Sequence, residues 1–258
     1  MRDWTTGGRV KVDRAHKHIK DLEKAISDFR ELGPYFAIPE VNPDGRHGVA
    51  WKVRVVEEMD PMISAIAADA IHNLHVALDQ MWQRAVYGPK PIMQGGFPFY
   101  PDPECAKSRF GGKEKGRCKK AVDVLRRADA FRVGNPFWQI NCFDNADKHD
   151  TMRIAACWLT GFRMNVARIF AAQFVPLSYD AVHYYITADP FTVLEEGTEL
   201  SFIPGEVLEL YPDRQIDFEI AFGKGEVLAG KEIVPAIQGL AESVTSLERD
   251  LWNVGLLT

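Results

Sequence analysis

The sequence predicts an α+β protein: a helical N-terminal half, then an antiparallel β-sheet in the C-terminal half with a packed C-terminal helix. Three observations predict it. Apolar residues recur at three- and four-residue spacing along two long segments before residue 90. Short β-rich runs separated by Gly, Pro and Asp follow Gly161. A last amphipathic segment closes the chain. The helical part, about 1–160, and the β-rich part with its closing helix, about 161–258, are expected to share one compact domain, since 258 residues at 46% hydrophobic content bury a real core.

Each element has a local reason. In residues 13–32, Ala15, Ile19, Leu22, Ile26 and Phe29 make one helical face, Asp13 is the expected N-cap, and Gly33-Pro34 is the stop. A turn-rich piece ends in Asn42-Pro43-Asp44-Gly45. Val49, Trp51, Val53 and Val55 then alternate with Lys52 and Arg54, which is strand periodicity. Asp60-Pro61 opens a longer helix and Gly88-Pro89 closes it. Residues 89–103 are irregular and aromatic, with Phe97, Phe99 and Tyr100. Residues 107–132 are basic, and Ala121, Val124 and Leu125 suggest a short helix within them. Asn135-Pro136 restarts the helical pattern, which reads on through residues 137–159 with a break near Asp144. Strands are expected at 164–175, 182–187, 199–203 and 216–222. The closing helix is expected at 232–252, with Val234, Ile237, Ala241, Val244 and Leu247 as its stripe.

Composition excludes several classes. The formal charge is −5, from 31 basic and 36 acidic residues, so the chain is no polycation built to coat nucleic acid. The apolar and charged fractions exclude a mainly disordered chain, a collagen and a simple coiled coil. No apolar run approaches the roughly 20 residues of a membrane span. The opening residues carry no apolar stretch after their first charges, so no export signal and a cytoplasmic location are expected. Cys105, Cys118, Cys142 and Cys157 form no C-x-x-C and stand at no zinc-finger spacing. Cys142 and Cys157 lie in apolar helical text and read as core residues.

The second helix is the most informative segment. Ile63, Ala67, Ala70, Ile71, Leu74, Leu78, Met81 and Ala85 form a continuous apolar face, and Asp69, His72, Asn73, Asp79, Gln80 and Gln83 a polar one. His75 falls between the two. Asp69 and His72 are i,i+3 neighbours whose side chains can meet. A solvated face usually carries Lys and Glu, and this one has neither between Asp60 and Arg84. A structural hydrogen-bond network, a functional pocket and plain surface all remain open readings. The second polar cluster runs Asp144, Asn145, Ala146, Asp147, Lys148, His149, Asp150. As a helix junction, Asp144 or Asn145 would cap the helix that follows. Capping does not account for Lys148 and His149 in a first turn, where the helix dipole disfavours cations.

At these two clusters the chain resembles an uncharacterised family of bacterial and phage proteins. That family has a helix reading roughly G-D-x-x-H-N-L-R-x-A-L-D-H, then N-x-D-K-H-R some seventy residues later, then a β-rich region and a C-terminal helix. Asp69, His72, Asn73, Leu74, Ala77, Leu78 and Asp79 match the first motif; Asn145, Asp147, Lys148 and His149 match the second. Ala68, His75, Gln80 and Asp150 depart from it, and two family arginines are lost at His75 and Asp150. The resemblance implies a shared site and no particular reaction. A weaker similarity is to helical ribonucleases of the HEPN type. Their Arg-x(4–6)-His signature is broken here, because no arginine stands at that spacing before His149, where Asp144 falls in the window.

If the second helix packs against the segment of His149, then Asp69, His72, Asp79, Asp147, Lys148 and His149 converge, and three arrangements fit. A divalent metal would take His72, His149 and one or two carboxylates. His72 and His149 would work as acid and base on a phosphodiester, with Lys148 steadying negative charge. Or the groups only hold one another. The metal arrangement lacks H-E-x-x-H spacing. Nucleophilic catalysis by Ser or Cys has no motif, and Gly95-Gly96 and Gly111-Gly112-Lys113 are not phosphate-cradling loops.

The expected function is therefore a hydrolase or phosphodiester-cleaving enzyme acting on a nucleotide or RNA. His149 is the expected general acid/base and His72 its counterpart. Asp69 and Asp79 orient them, Lys148 stabilises charge, and Asn73, Asn145 and Asp147 bind ligand. The alternative is a non-catalytic ligand-binding or regulatory protein, phage- or defence-related, whose polar clusters are structural. The basic residues Lys107, Arg109, Lys113, Lys115, Arg117, Lys119, Lys120, Arg126, Arg127 and Arg132 read either as solvated surface or as a patch for nucleic acid. Phe110, Phe131 and Trp138 would then offer stacking surfaces. Sheet edges allow a homodimer without requiring one.

Overall fold

The computed structural model describes residues 7–41, 49–88, 96–100, 102, 104, 116–147, 154–162, 193–203 and 216–257. The first apolar stripe folds as α1 (Gly7–Glu31), with Val12, Ala15, Ile19, Leu22, Ile26 and Phe29 buried. It begins six residues before the expected cap. Asp13 is exposed within the helix and pairs with Arg9 at 3.2 Å. The early start is a packing effect. A Cβ on Gly8 would lie 2.8 Å from Met81 Cγ and 3.3 Å from the Ala77 carbonyl, so only glycine lets the backbone approach so closely. Arg9 also reaches Glu248 at 3.1 Å, tying this end of α1 to the closing helix.

The sheet is not confined to the C-terminal half. β1 (Tyr35–Val41), β2 (Val49–Val55) and β4 (Glu199–Ile203) form a three-stranded antiparallel sheet in the order β1-β2-β4. Tyr35 pairs with Val55 and Val41 with Val49. The strand expected at 49–55 thus acquires an unexpected partner on either side. Pro39 obscures β1 in the sequence, because proline donates nothing to a ladder. It is tolerated because β1 is an edge strand in this order.

The helical reading through residue 159 is corrected as well. Residues 154–162 are β3 (Ile154–Phe162), paired antiparallel with β5 (Ile216–Phe222) from Ile154↔Phe222 to Phe162↔Ile216. Cys157 therefore lies on a strand. The run Ala155-Ala156-Cys157 has no period of its own, and pairing with β5 decides its conformation. β4 and β5 fall where expected, while the strands expected at 164–175 and 182–187 lie outside the described residues.

α2 (Pro61–Tyr87) is the central helix, packed against α1, α3 (Gly116–Arg127), α4 (Pro136–Asp147) and α5 (Ile233–Asn253). Arg117 of α3 donates to the Arg84 and Ala85 carbonyls at 3.3 and 3.1 Å and to the Leu256 carbonyl. A guanidinium at the C-terminal end of α2 meets both its open carbonyls and its dipole. Ile216, Phe218, Ile220 and Phe222 alternate inward from β5. Phe218 stands edge-on to Phe29 and Tyr35, and Phe222 stacks on Phe143 of α4 at 4.7 Å. Ile233, Ile237, Leu240, Ala241, Val244, Leu247 and Leu251 seal the cluster from α5. Among the described residues no helix is long and apolar enough to cross a membrane.

Candidate functional site

The site is built where α2 meets α4. Asp60 caps α2 by accepting from the Met62 N–H at 2.8 Å, Pro61 takes the first turn, and the Gly88 N–H closes the far end on Arg84. The expected apolar face of α2 is buried throughout. Asn135 caps α4 in the same manner, accepting from Trp138 N–H at 2.8 Å. Phe137, Ile140 and Phe143 of α4 are buried. Asp144 lies seven residues after Phe137 and four after Ile140, on the same face, and is only 3% exposed.

As a helix junction, Asp144 or Asn145 would cap a following helix; Asp144 is instead an interior residue of α4, turned toward α2. Its Oδ1 lies 2.6 Å from His72 Nδ1. A carboxylate only accepts, so Nδ1 carries the hydrogen and Nε2 is left as the ring's outer nitrogen. The His72 side chain is 51% exposed while its partner is buried. This charge-assisted bond offsets part of the cost of burying the acid. A second imidazole faces the other oxygen: His75 Nδ1 is 3.6 Å from Asp144 Oδ2 and 3.8 Å from Asp79 Oδ2. Asp79 Oδ1 accepts the Phe97 N–H at 2.7 Å, which fastens residues 96–100 to α2. Phe99 then lies flat on His75, with ring centres 4.9 Å apart and planes at 20°.

The other expected site residues divide. Asp69 is exposed, and its carbonyl accepts from Asn73 Nδ2 at 2.7 Å; the partner of His72 is Asp144. Asn73 is buried on the apolar side, with Oδ1 lacking a hydrogen-bond partner among the described residues, so it does not share the polar face with His72. Asn145 is exposed. Asp147 ends α4, and Lys148 and His149 lie outside the described residues. Asp144 and His75 were the residues missed. The signal for Asp144 was present: an acid in register with Phe137 and Ile140 is a buried acid, and a buried acid needs a partner.

Among the described residues no group of three or more His, Cys, Asp or Glu side chains is arranged to hold a metal ion. Burial raises the Cys142 thiol above its ordinary range, which keeps it protonated and a poor nucleophile. In the basic segment, Lys119 and Arg126 both reach Asp123, and the Lys119 hydrogen bond holds that carboxyl below its usual range. Arg132 pairs with Asp129 at 2.9 Å, and Arg117 is spent on carbonyls. Lys120 and Arg127 are exposed on α3, and residues 105–115 lie outside the described residues. A cleft of about 570 Å³ lies between α4 and α5, with Pro136, Gln139, Leu228, Pro235 and Leu240 in its walls. None of His72, His75, Asp79 or Asp144 lines it.

No protein-family model, no curated protein and no solved structure matches the chain.

Proposed function

We propose that the chain is a hydrolase in which His72 is the general acid/base and Asp144 orients it, acting on a phosphodiester in a nucleotide or RNA. One observation carries the reading: a half-exposed imidazole whose inner nitrogen is held at 2.6 Å by a buried carboxylate. Such a carboxylate fixes the ring's tautomer and favours the imidazolium that forms when Nε2 takes a proton. The exposed Lys120 and Arg127 favour an anionic substrate, and Lys148 and His149, which follow α4 directly in sequence, supply the charge stabiliser and second acid/base of this reading.

The test is hydrolysis of a chromogenic phosphodiester and of a short labelled RNA by the purified chain and by His72→Ala. The wild type should cleave at least one of them, and the variant should be slower by roughly 10²–10⁴-fold. Equal rates for the two proteins refute the assignment. A second reading is non-catalytic ligand binding, favoured by the cleft between α4 and α5, which lies apart from His72. Retention of a small molecule by the wild type, lost on filling the cleft with Gly239→Leu and unaffected by His72→Ala, would decide for it.

A further inference from the structure

We infer that His75 is a positioning residue for the His72–Asp144 pair, with Asp79 holding His75 from behind; this rests on the catalytic reading of His72. Asp144 is one carboxylate facing two imidazoles. The His72 bond engages Oδ1, and a contact at Oδ2 bears on the plane that the carboxylate presents to His72. His75 stands at Oδ2, 3.6 Å away. That separation is too long for a hydrogen bond, so the contact is electrostatic, and it gains strength where water is scarce. The His75 side chain is only 14% exposed, so it acts through Asp144 and leaves the open side to His72.

The surroundings fix His75 on several sides. Asp79 Oδ2 lies 3.8 Å from the same ring nitrogen, and its other oxygen is engaged by the Phe97 N–H. Gly96 sits so close that a Cβ there would fall 2.8 Å from Asp79 Oδ1. Phe99 covers one face of the ring, and Phe97 packs between Phe99 and Phe137 of α4 at 4.8 and 5.7 Å. The order Phe97 N–H, Asp79, His75, Asp144, His72 runs from a backbone anchor to a half-exposed base. Asp79 is thereby a positioning group two steps from the reacting ring.

The experiment is ¹H–¹⁵N correlation of the imidazoles in ¹⁵N-labelled full-length protein, which reports the ring nitrogen that bears hydrogen. In the wild type the Nδ1–H form of His72 should dominate. His75→Phe keeps a ring on Phe99 and removes the nitrogen facing Asp144. It should move His72 toward the Nε2–H form by roughly fivefold in population ratio, the worth of one modest interaction. Asp79→Asn should shift it less, in the same direction. A structural His75 would change the melting temperature and leave the His72 tautomer alone, so a folded His75→Phe protein with wild-type His72 signals overturns the inference. Should His75→Phe fail to fold, His75→Leu, which also lacks a nitrogen there, is read in the same way. A shift in the His75 variants without one in Asp79→Asn overturns the part assigned to Asp79. No substrate enters the measurement. A wild type with the Nδ1–H form and no hydrolysis therefore removes the catalytic reading and leaves the positioning intact.

Discussion

Among the described residues, two of the contacts that join an acid to a basic side chain across distant elements do different work. Between α2 and α4, Asp144 is almost wholly buried and meets two imidazoles, one half-exposed and one nearly covered. Between α1 and β5, Glu219 is partly exposed and meets Arg30, which is always charged, with Glu232 at the start of α5 as a second acid beside it. Arg30 also leans over the Phe218 ring at 6.0 Å. The α1–β5 pair behaves as a clamp between elements. The α2–α4 pair turns one nitrogen inward and leaves the other at the surface, which suits proton transfer. Burial of the acid and the kind of side chain it meets, imidazole or guanidinium, separate the two, more than the mere presence of an ion pair.

The largest effect should come from the residue that links both regions. Phe143 precedes Asp144 on α4 and stacks on Phe222 of β5, the strand that carries Glu219. Phe143→Ala should cost about 3–5 kcal/mol, read by chemical denaturation, and loosen both sites together. A cost below about 1 kcal/mol would mean that the α4–β5 contact is not part of the core. Next in size is Asp144→Asn. It keeps the shape but supplies the wrong hydrogen-bonding pattern to Nδ1, and phosphodiester cleavage should fall by about 10²-fold or more. Glu219→Gln, in the clamp, should leave the cleavage rate within about twofold at constant fold. Equal losses in these two variants would erase the distinction drawn above.

A smaller change is expected at Gly96→Ala. The new methyl pushes on the end of the Asp79 side chain and weakens its bond to the Phe97 N–H. About 1 kcal/mol of stability should go, and hydrogen exchange at the Phe97 amide should quicken. The smallest effect is a pH trend. Burial raises the Glu219 carboxyl above its ordinary value; Arg30 opposes the rise and Glu232 adds to it. An acid harder to ionise in the folded chain than in the unfolded one costs native stability as pH climbs from about 4.5 through the raised value. The melting temperature of wild type minus that of Glu219→Gln should therefore fall across that window and then level off. A difference that grows with pH would show that Arg30 outweighs burial.

Local pattern was enough for much of the architecture. The stripe of α2, its Asp60 cap and Gly88 end, and the positions of β4 and β5 could all be read from spacing, because a helix or an alternating strand shows its buried face every 3.6 or 2 residues. Reading failed where the deciding partner was remote. Residues 154–159 read as helix because a short apolar run has no period until a strand lies beside it. Asp13 reads as a cap because nothing local records that Gly8 nests against Met81. His72 and Asp79 stand out as polar residues on an apolar helix, and convergence with residues 147–149 is expected from the sequence, but nothing local names Asp144 as the acid that meets His72.

Chain order alone thus settled which residues are apolar and at what period they repeat, and with that the existence of most helices and of the late strands. It also marked α2 and residues 144–149 as chemically unusual. Only packing in three dimensions chose the partner of His72, 72 residues away, and put Phe99 on His75 and β4 beside β2. The reason is physical. Backbone preference and amphipathic period act over a few residues, whereas a buried carboxylate takes its place from whatever surfaces close over it when the helices meet.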